Sequence, residues 1–194
     1  MPGLLASFLI SFGAIFVAEL GDKSQLMALT FATRFRTLPI LVGITAATAL
    51  VHAVSVGLGA VLKLSLPTRP ISVIAGVGFL GFAAWTLRGD QLDEDEQSKA
   101  TRTSERSAVL AASGAFFLAE LGDKTMLATI ALATKYAALG VWAGSTAGMV
   151  TADALAIVVG KQLGTRLPER AIKIGATITF VVFGVILIAE GLRR

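Results

Sequence analysis

The sequence predicts an all-α membrane protein whose six transmembrane helices form two inverted three-helix repeats. Three observations predict it: an apolar composition, a series of apolar stretches of spanning length, and one polar segment that occurs twice. The 194 residues are 55% hydrophobic and only 15% charged, with a mean hydropathy of +0.77. Counting the 20 glycines as well raises the apolar share to roughly 65%, against about 45–50% on the comparable scale for soluble domains. An ordinary water-soluble globule is thereby excluded, and disorder with it, because so much apolar surface will be buried. The chain has no cysteine, which removes disulfides, thiolate zinc sites and cysteine nucleophiles. The net charge of +4 could suggest nucleic acid, but basic residues in so apolar a chain more simply mark the sides of a membrane. The expected partner is therefore the lipid bilayer, with no nucleic acid.

Stretches near the ~20 residues needed to cross a bilayer run over 4–31, 39–62, 70–88, 108–134, 139–160 and 170–190. Met1-Pro2-Gly3 precedes the first without a basic region, and no small-residue cleavage signature follows, so that span is expected to stay in the mature protein. The first and fourth are long and carry polar residues in mid-course, so each is expected to bend or break. The second holds His52, with Gly43 and Ala47 at close-packing spacing; the fifth holds Asp153, with Gly140, Gly144 and Gly148 in the longer form of that pattern. Trp85 and Trp142 read as interfacial anchors. Residues 89–106 form an acidic linker containing Asp93-Glu94-Asp95-Glu96. It reads as a solvated loop, with metal capture or regulation as the other reading.

The basic residues set the orientation. One side carries ten: Arg34, Arg36, Arg88, Lys99, Arg102, Arg106, Lys161, Arg166, Arg170 and Lys173. The other carries five: Lys63, Arg69, Lys135, Arg193 and Arg194. The positive-inside rule puts the linker in the cytoplasm and both termini outside, in a multi-pass protein of the cell (inner) membrane.

Residues 16–29, FVAELGDKSQLMAL, and 117–130, FLAELGDKTMLATI, are identical at eight of fourteen positions with an offset of 101. The same offset pairs Gly43 with Gly144, His52 with Asp153, Gly59 with Gly160 and Leu66-Pro67 with Leu167-Pro168. A single membrane domain thus divides into repeat one, 1–88, and repeat two, 107–194. Three spans is an odd number, so the second repeat enters the membrane upside down, the build of many secondary transporters.

Each copy concentrates charge: Glu19, Asp22 and Lys23, then Glu120, Asp123 and Lys124. Six ionised side chains at mid-membrane would cost on the order of 15–20 kcal/mol on insertion scales if left unpaired. On a continuous helix Glu19 and Asp22 share a face, and Lys23 joins them. Four convergent carboxylates and two lysines leave a charge of −2, which one divalent cation neutralises. Carboxylate oxygens without thiolates suit Ca²⁺, Mn²⁺ or Mg²⁺. The competing reading is structural, with Glu19–Lys23 and Glu120–Lys124 ion pairs along one helix. It leaves Asp22 and Asp123 unexplained.

Ser24 lies about 140° around a regular helix from Glu19 and joins it only if the helix opens near Gly21. Asp22-Lys-Ser-Gln25 resembles a capping box that would restart a helix. Alternatively, Ser24 and Thr125 bond back to their own helices. Gln25 could lend an amide oxygen and Met126 a thioether, or both simply pack. Asp153 in mid-span is a functional candidate. His52, its counterpart, is either a satisfied bundle histidine or part of a proton relay.

AELGDKS and AELGDKT in opposed halves resemble the E-x-G-D-[KR]-[ST] signature of the Gdt-type family (formerly uncharacterised protein family sixteen), whose members occur in bacteria, chloroplasts and the Golgi. The resemblance covers the whole chain, with six spans, both motif copies and the acidic central loop. It implies a transporter exchanging manganese or calcium for protons, with Glu19, Asp22, Glu120 and Asp123 as metal ligands. Ser24 and Thr125 fill the last motif position. The short loops look like those of a bacterial member, for which manganese export from the cytoplasm is implied. Mn²⁺ or Ca²⁺ would be cargo, with no prosthetic group, and no enzyme activity is expected. An intramembrane aspartyl protease is disfavoured because the acids come in duplicate and Glu19, not glycine, stands two before Gly21. The alternative is an exporter of amino-acid-type solutes of similar build, but clustered acids would repel a carboxylate substrate.

Overall fold

A computed structural model describes residues 3–20, 22–65, 68–88, 105–163 and 169–193. The described residues are almost wholly α-helical: α1 Leu4–Glu19, α2 Lys23–Arg34, α3 Thr37–Ser65, α4 Thr68–Arg88, α5 Glu105–Glu120, α6 Lys124–Lys135, α7 Ala138–Leu163 and α8 Glu169–Arg193. Both signature-bearing stretches are broken, as expected. At 1.5 Å per residue, α1 rises about 24 Å and α2 about 18 Å. Neither covers a hydrocarbon core of about 30 Å alone; each pair in series is long enough. By length and apolar composition, α3 and residues Ala138–Val159 of α7 are the two described helices that suit a membrane crossing on their own. Leu4–Glu19, Pro70–Ala84 and Val109–Glu120 are shorter apolar helices. Most of the acidic linker, the Leu66-Pro67 and Leu167-Pro168 connectors, and the Trp85 side chain lie outside the described residues.

Every helix has its most extensive packing against a helix from the other side of the linker: α1 against α7, α2 against α7, α3 against α6 and α5, and α4 against α8. The α1–α7 contact shows why glycine is needed. A Cβ on Gly144 would stand 2.3 Å from the Phe8 carbonyl oxygen, and one on Gly148 would stand 2.6 Å from that of Phe12. The small-residue spacing in the fifth stretch therefore does mean backbone approach. Trp142 donates its indole N–H to the Ala49 carbonyl at 2.9 Å. It ties α7 to α3, because a half-buried indole needs an acceptor.

Residues 101 apart meet at several levels. Thr48 Oγ1 donates to Met149 Sδ at 3.4 Å, the Phe79 and Phe180 rings lie 5.9 Å apart, and Glu19 and Glu120 share one acidic cluster. Contact between a residue and its own counterpart is what a twofold relation produces along its axis.

Polarity is distributed in the opposite sense to a soluble protein. Leu5, Leu38, Leu64, Leu110, Leu118 and Ile74 are exposed, whereas Glu19, Asp22, His52, Glu120 and Asp153 are buried. An apolar exterior around buried ionisable groups suits a lipid environment. Two apolar clusters form the core. One joins Ala14, Ile15 and Ala18 of α1 to Ala128 and Leu132 of α6, with Phe79 and Phe180. The other joins Met27, Ala28 and Phe31 of α2 to Ile40 and Ile44 of α3, and Ala112 and Phe116 of α5. The chain crosses from one cluster to the other between α1 and α2, and again between α5 and α6. Both signature copies sit at those crossings.

Candidate functional site

Each signature copy folds as a helix, a tight turn and a second helix. The Glu19 carbonyl accepts from Asp22 N–H at 3.0 Å, and the Glu120 carbonyl from Asp123 N–H at 3.3 Å. Leu20 has φ −59°, ψ 121°, and Gly122 has φ +82°. Leu20, in the first copy, has the conformation of the first central position of a type II turn, and Gly122, in the second copy, has the φ > 0 that the second central position of such a turn demands and glycine permits. The glycine between the two acids is thus a backbone requirement. Asp22 (φ −78°, ψ 163°) and Asp123 (φ −74°, ψ 168°) then stand as N-caps of α2 and α6, where the helix dipole favours a carboxylate.

The break corrects the single-helix geometry, since Glu19 ends one helix and Asp22 starts the next. The helix restarts without a capping box, because Asp22 makes no side-chain cap hydrogen bond. The break between α1 and α2 brings Ser24 onto the glutamate: its hydroxyl donates to Glu19 Oε1 and lies 3.4 Å from Asp22 Oδ2. Thr125 Oγ1 likewise donates to Glu120 Oε2 at 2.9 Å. The hydroxyls therefore serve the acids instead of bonding back to helix carbonyls.

Carboxylate oxygens of Glu19, Asp22 and Glu120 all lie within 4.8 Å of one another, and each residue is at most 1% exposed. Three full charges at that separation would repel by about 3 kcal/mol a pair at an effective dielectric constant near 20. An ion with oxygen distances of about 2.1–2.6 Å spans such a gap, so these three acids could hold a divalent cation. Glu19 Oε2 and Glu120 Oε1 accept no hydrogen bond from the described residues. Each glutamate therefore has one oxygen held by a hydroxyl and one left for something else.

Asp123 is buried near Glu120 but is not one of the three clustered acids. Lys124 differs more from expectation. Its ammonium pairs with Asp22 of the other signature copy, not along its own helix with Glu120. The turn rotates α6 relative to α5, which removes the i,i+4 register that a continuous helix would supply. The Lys23 side chain and Gly21 lie outside the described residues. Gln25 donates its amide N–H to the Ala152 carbonyl at 3.0 Å. Met126 Sδ accepts from Gly122 N–H at 3.1 Å, closing the local turn.

Asp153 is fully buried in mid-α7, within electrostatic reach of Glu19, Asp22 and Glu120. His52, also buried, meets Thr146 Oγ1 through Nδ1 at 3.3 Å. Sequence reasoning missed Thr146. The signal was available, since it stands seven residues before Asp153 and so on the same helix face.

The chain matches the family model described as "Divalent cation/proton antiporter GDT1" over residues 7–94 and 108–194. It is 37% identical over 162 residues to a Vibrio cholerae protein named "Putative manganese exporter", covering 82% of this chain and 78% of that one. It is 33% identical to the chloroplastic protein PAM71 of Arabidopsis thaliana, over 95% of this chain and 57% of the relative. With the GDT1-like protein sll0615 of Synechocystis it shares 31% identity over 94% of this chain and 97% of that one. No solved structure matches it. On the strength of both the two matched segments and these relatives, the chain belongs to the GDT1 family of divalent cation/proton antiporters.

Proposed function

We propose that the protein exports Mn²⁺, and Ca²⁺ where it competes, from the cytoplasm in exchange for protons, by alternating access between two inverted three-helix repeats. The observation that carries this reading is the convergence of Glu19 and Asp22 with Glu120, from opposite repeats, within 4.8 Å. A cation held there touches both repeats at once, so its arrival and departure bear on how they pack.

The repeats are 1–88 and 107–194, joined by the cytoplasmic linker 89–106 with both termini outside. Contacts between counterparts 101 apart, at Thr48–Met149 and Phe79–Phe180, support a twofold relation between them. Three spans per repeat make that axis lie in the membrane plane. The ten-to-five bias in basic residues supports the orientation. In the state seen, Asp22 joins the two glutamates and Asp123 stands beside them. Exchanging the conformations of the repeats gives the opposite-facing state, with Asp123 in the place of Asp22. All four acids serve as ligands over the cycle.

Antiport follows from electrostatics. Clustered carboxylates in a low-dielectric interior need positive charge, and Lys124 supplies one unit. When the cation leaves, protons take its place before the repeats return. An amino-acid-type solute with its own carboxylate would meet repulsion there.

The test uses purified protein in liposomes, recording internal pH and metal uptake together for Mn²⁺, Ca²⁺ and Mg²⁺. Metal flux should drive opposite proton flux, and Glu120→Gln should abolish both while the protein still folds. Flux retained in that variant would overturn the site; flux without proton movement would make the protein a passive channel.

A further inference from the structure

We infer that Asp153, outside the duplicated signature, is a ligand to the same cation, supplied by α7. The inference rests on the transport reading above and deepens it. Asp153 is 0% exposed, and neither of its carboxylate oxygens accepts a hydrogen bond from the described residues. Buried carboxylates are ordinarily held by several donors, because an unsolvated charge without them is strongly unfavourable.

The neighbours that would compensate it are the wrong sign. The charged groups acting on or with it are Glu19 at the end of α1, Asp22 at the start of α2 and Glu120 at the end of α5. Lys124 of α6 is paired with Asp22. On α3, His52 turns its Nδ1 to Thr146. Among the described residues, then, Glu19, Asp22 and Glu120 cluster within 4.8 Å, Asp153 lies beside that cluster, and a single lysine is engaged there. One contact places Asp153 beside that cluster: Gln25, three residues after Asp22 on α2, donates to the carbonyl of Ala152, the residue immediately before Asp153, at 3.0 Å.

A shared divalent cation satisfies all of this. Glu19 Oε2, Glu120 Oε1 and both Asp153 oxygens lack donors among the described residues, and Asp22 completes an all-oxygen set. Hard cations with six or more oxygen ligands are the class such a set takes. The counterpart position in repeat one is His52, so the ligand set is lopsided: α7 contributes an acid and α3 does not.

The test is Mn²⁺ binding to the full chain in detergent, read by calorimetry and by the electron paramagnetic resonance spectrum of the bound ion. Wild type, Asp153→Asn and Glu120→Gln are compared. Asp153→Asn keeps the shape and should weaken binding at least tenfold, with an altered spectrum. Asp153→Glu should recover part of the affinity. Binding within twofold of wild type and an unchanged spectrum, while Glu120→Gln loses binding, would overturn the assignment and leave the transport reading standing. So would unchanged binding with only the pH dependence of transport altered. If wild type itself binds neither Mn²⁺ nor Ca²⁺, both readings fail. Should Asp153→Asn not fold, Asp153→Glu alone decides, because a ligand cannot lengthen by a methylene without changing the bound-ion spectrum.

Discussion

The two signature copies are nearly the same sequence, yet they do different things. In both, the glutamate carbonyl accepts from the aspartate N–H, Asp22 and Asp123 have almost equal backbone angles, and a hydroxyl is handed to the glutamate five residues earlier. Beyond the turn they diverge. Asp22 joins the glutamates and receives Lys124 from the opposite copy; Asp123 does not join them. Gln25 reaches across to α7, while its counterpart Met126 closes on its own Gly122. The lesson is that the duplicated residues fix local geometry, whereas the neighbours that were not duplicated decide which aspartate enters the cluster.

Several measurements would break or sharpen that comparison. The largest effect is expected where the copies agree. Glu19→Gln and Glu120→Gln should each lower Mn²⁺ flux in liposomes by about 100-fold or more, since removing one partner of a buried charged set costs about 3–5 kcal/mol. A tenfold difference between the two would mean that the glutamates are not equivalent.

The aspartates come next. Asp22→Asn should weaken Mn²⁺ binding about tenfold more than Asp123→Asn in calorimetry, because only Asp22 faces both glutamates here. Both should slow transport, since each serves in one half of the proposed cycle. Equal binding losses would show that the asymmetry does not persist in solution.

Lys124→Gln has the opposite sign. It removes a positive charge beside the proposed cation site, so binding should tighten by about tenfold, even as the empty protein's return in the proposed cycle slows. Weaker binding would mean that Lys124 organises Asp22 and does not compete with the ion.

Packing separates the counterpart glycines. A Cβ at Gly144 meets the fixed Phe8 carbonyl at 2.3 Å, whereas one at Gly43 first meets the movable Ser113 Oγ at 2.6 Å. Gly144→Ala should cost about 1–3 kcal/mol and lower the detergent melting temperature clearly more than Gly43→Ala. The smallest effect belongs to Gln25→Met, which makes the first copy resemble the second. Losing the bond to Ala152 should cost about 1 kcal/mol, read as a slight fall in melting temperature, with Met126→Gln closer to neutral.

Much of this was legible beforehand. The acids, the hydroxyls, the break near the turn glycine and the close approach at Gly144 each follow from a residue type at a spacing. The Glu120–Lys124 pair of the competing structural reading does not form, because it assumed a continuous helix and Gly122 at positive φ cancels that register. The role of Gln25 was not legible, because it depends on a group more than ninety positions away.

The sequence by itself determined the helical membrane character, the duplication and the inventory of buried acids, since apolar periodicity, a glycine-dependent turn and charge are local properties that survive any packing. Only the tertiary structure decided that Glu19, Asp22 and Glu120 meet while Asp123 stands aside, that Lys124 crosses between the copies, and that Asp153 has no donor among the described residues. Those outcomes depend on how α7 seats against α1 and α2. Distances of a few ångströms between segments 100 residues apart are set by the summed packing of all the helices, which no single stretch of sequence encodes.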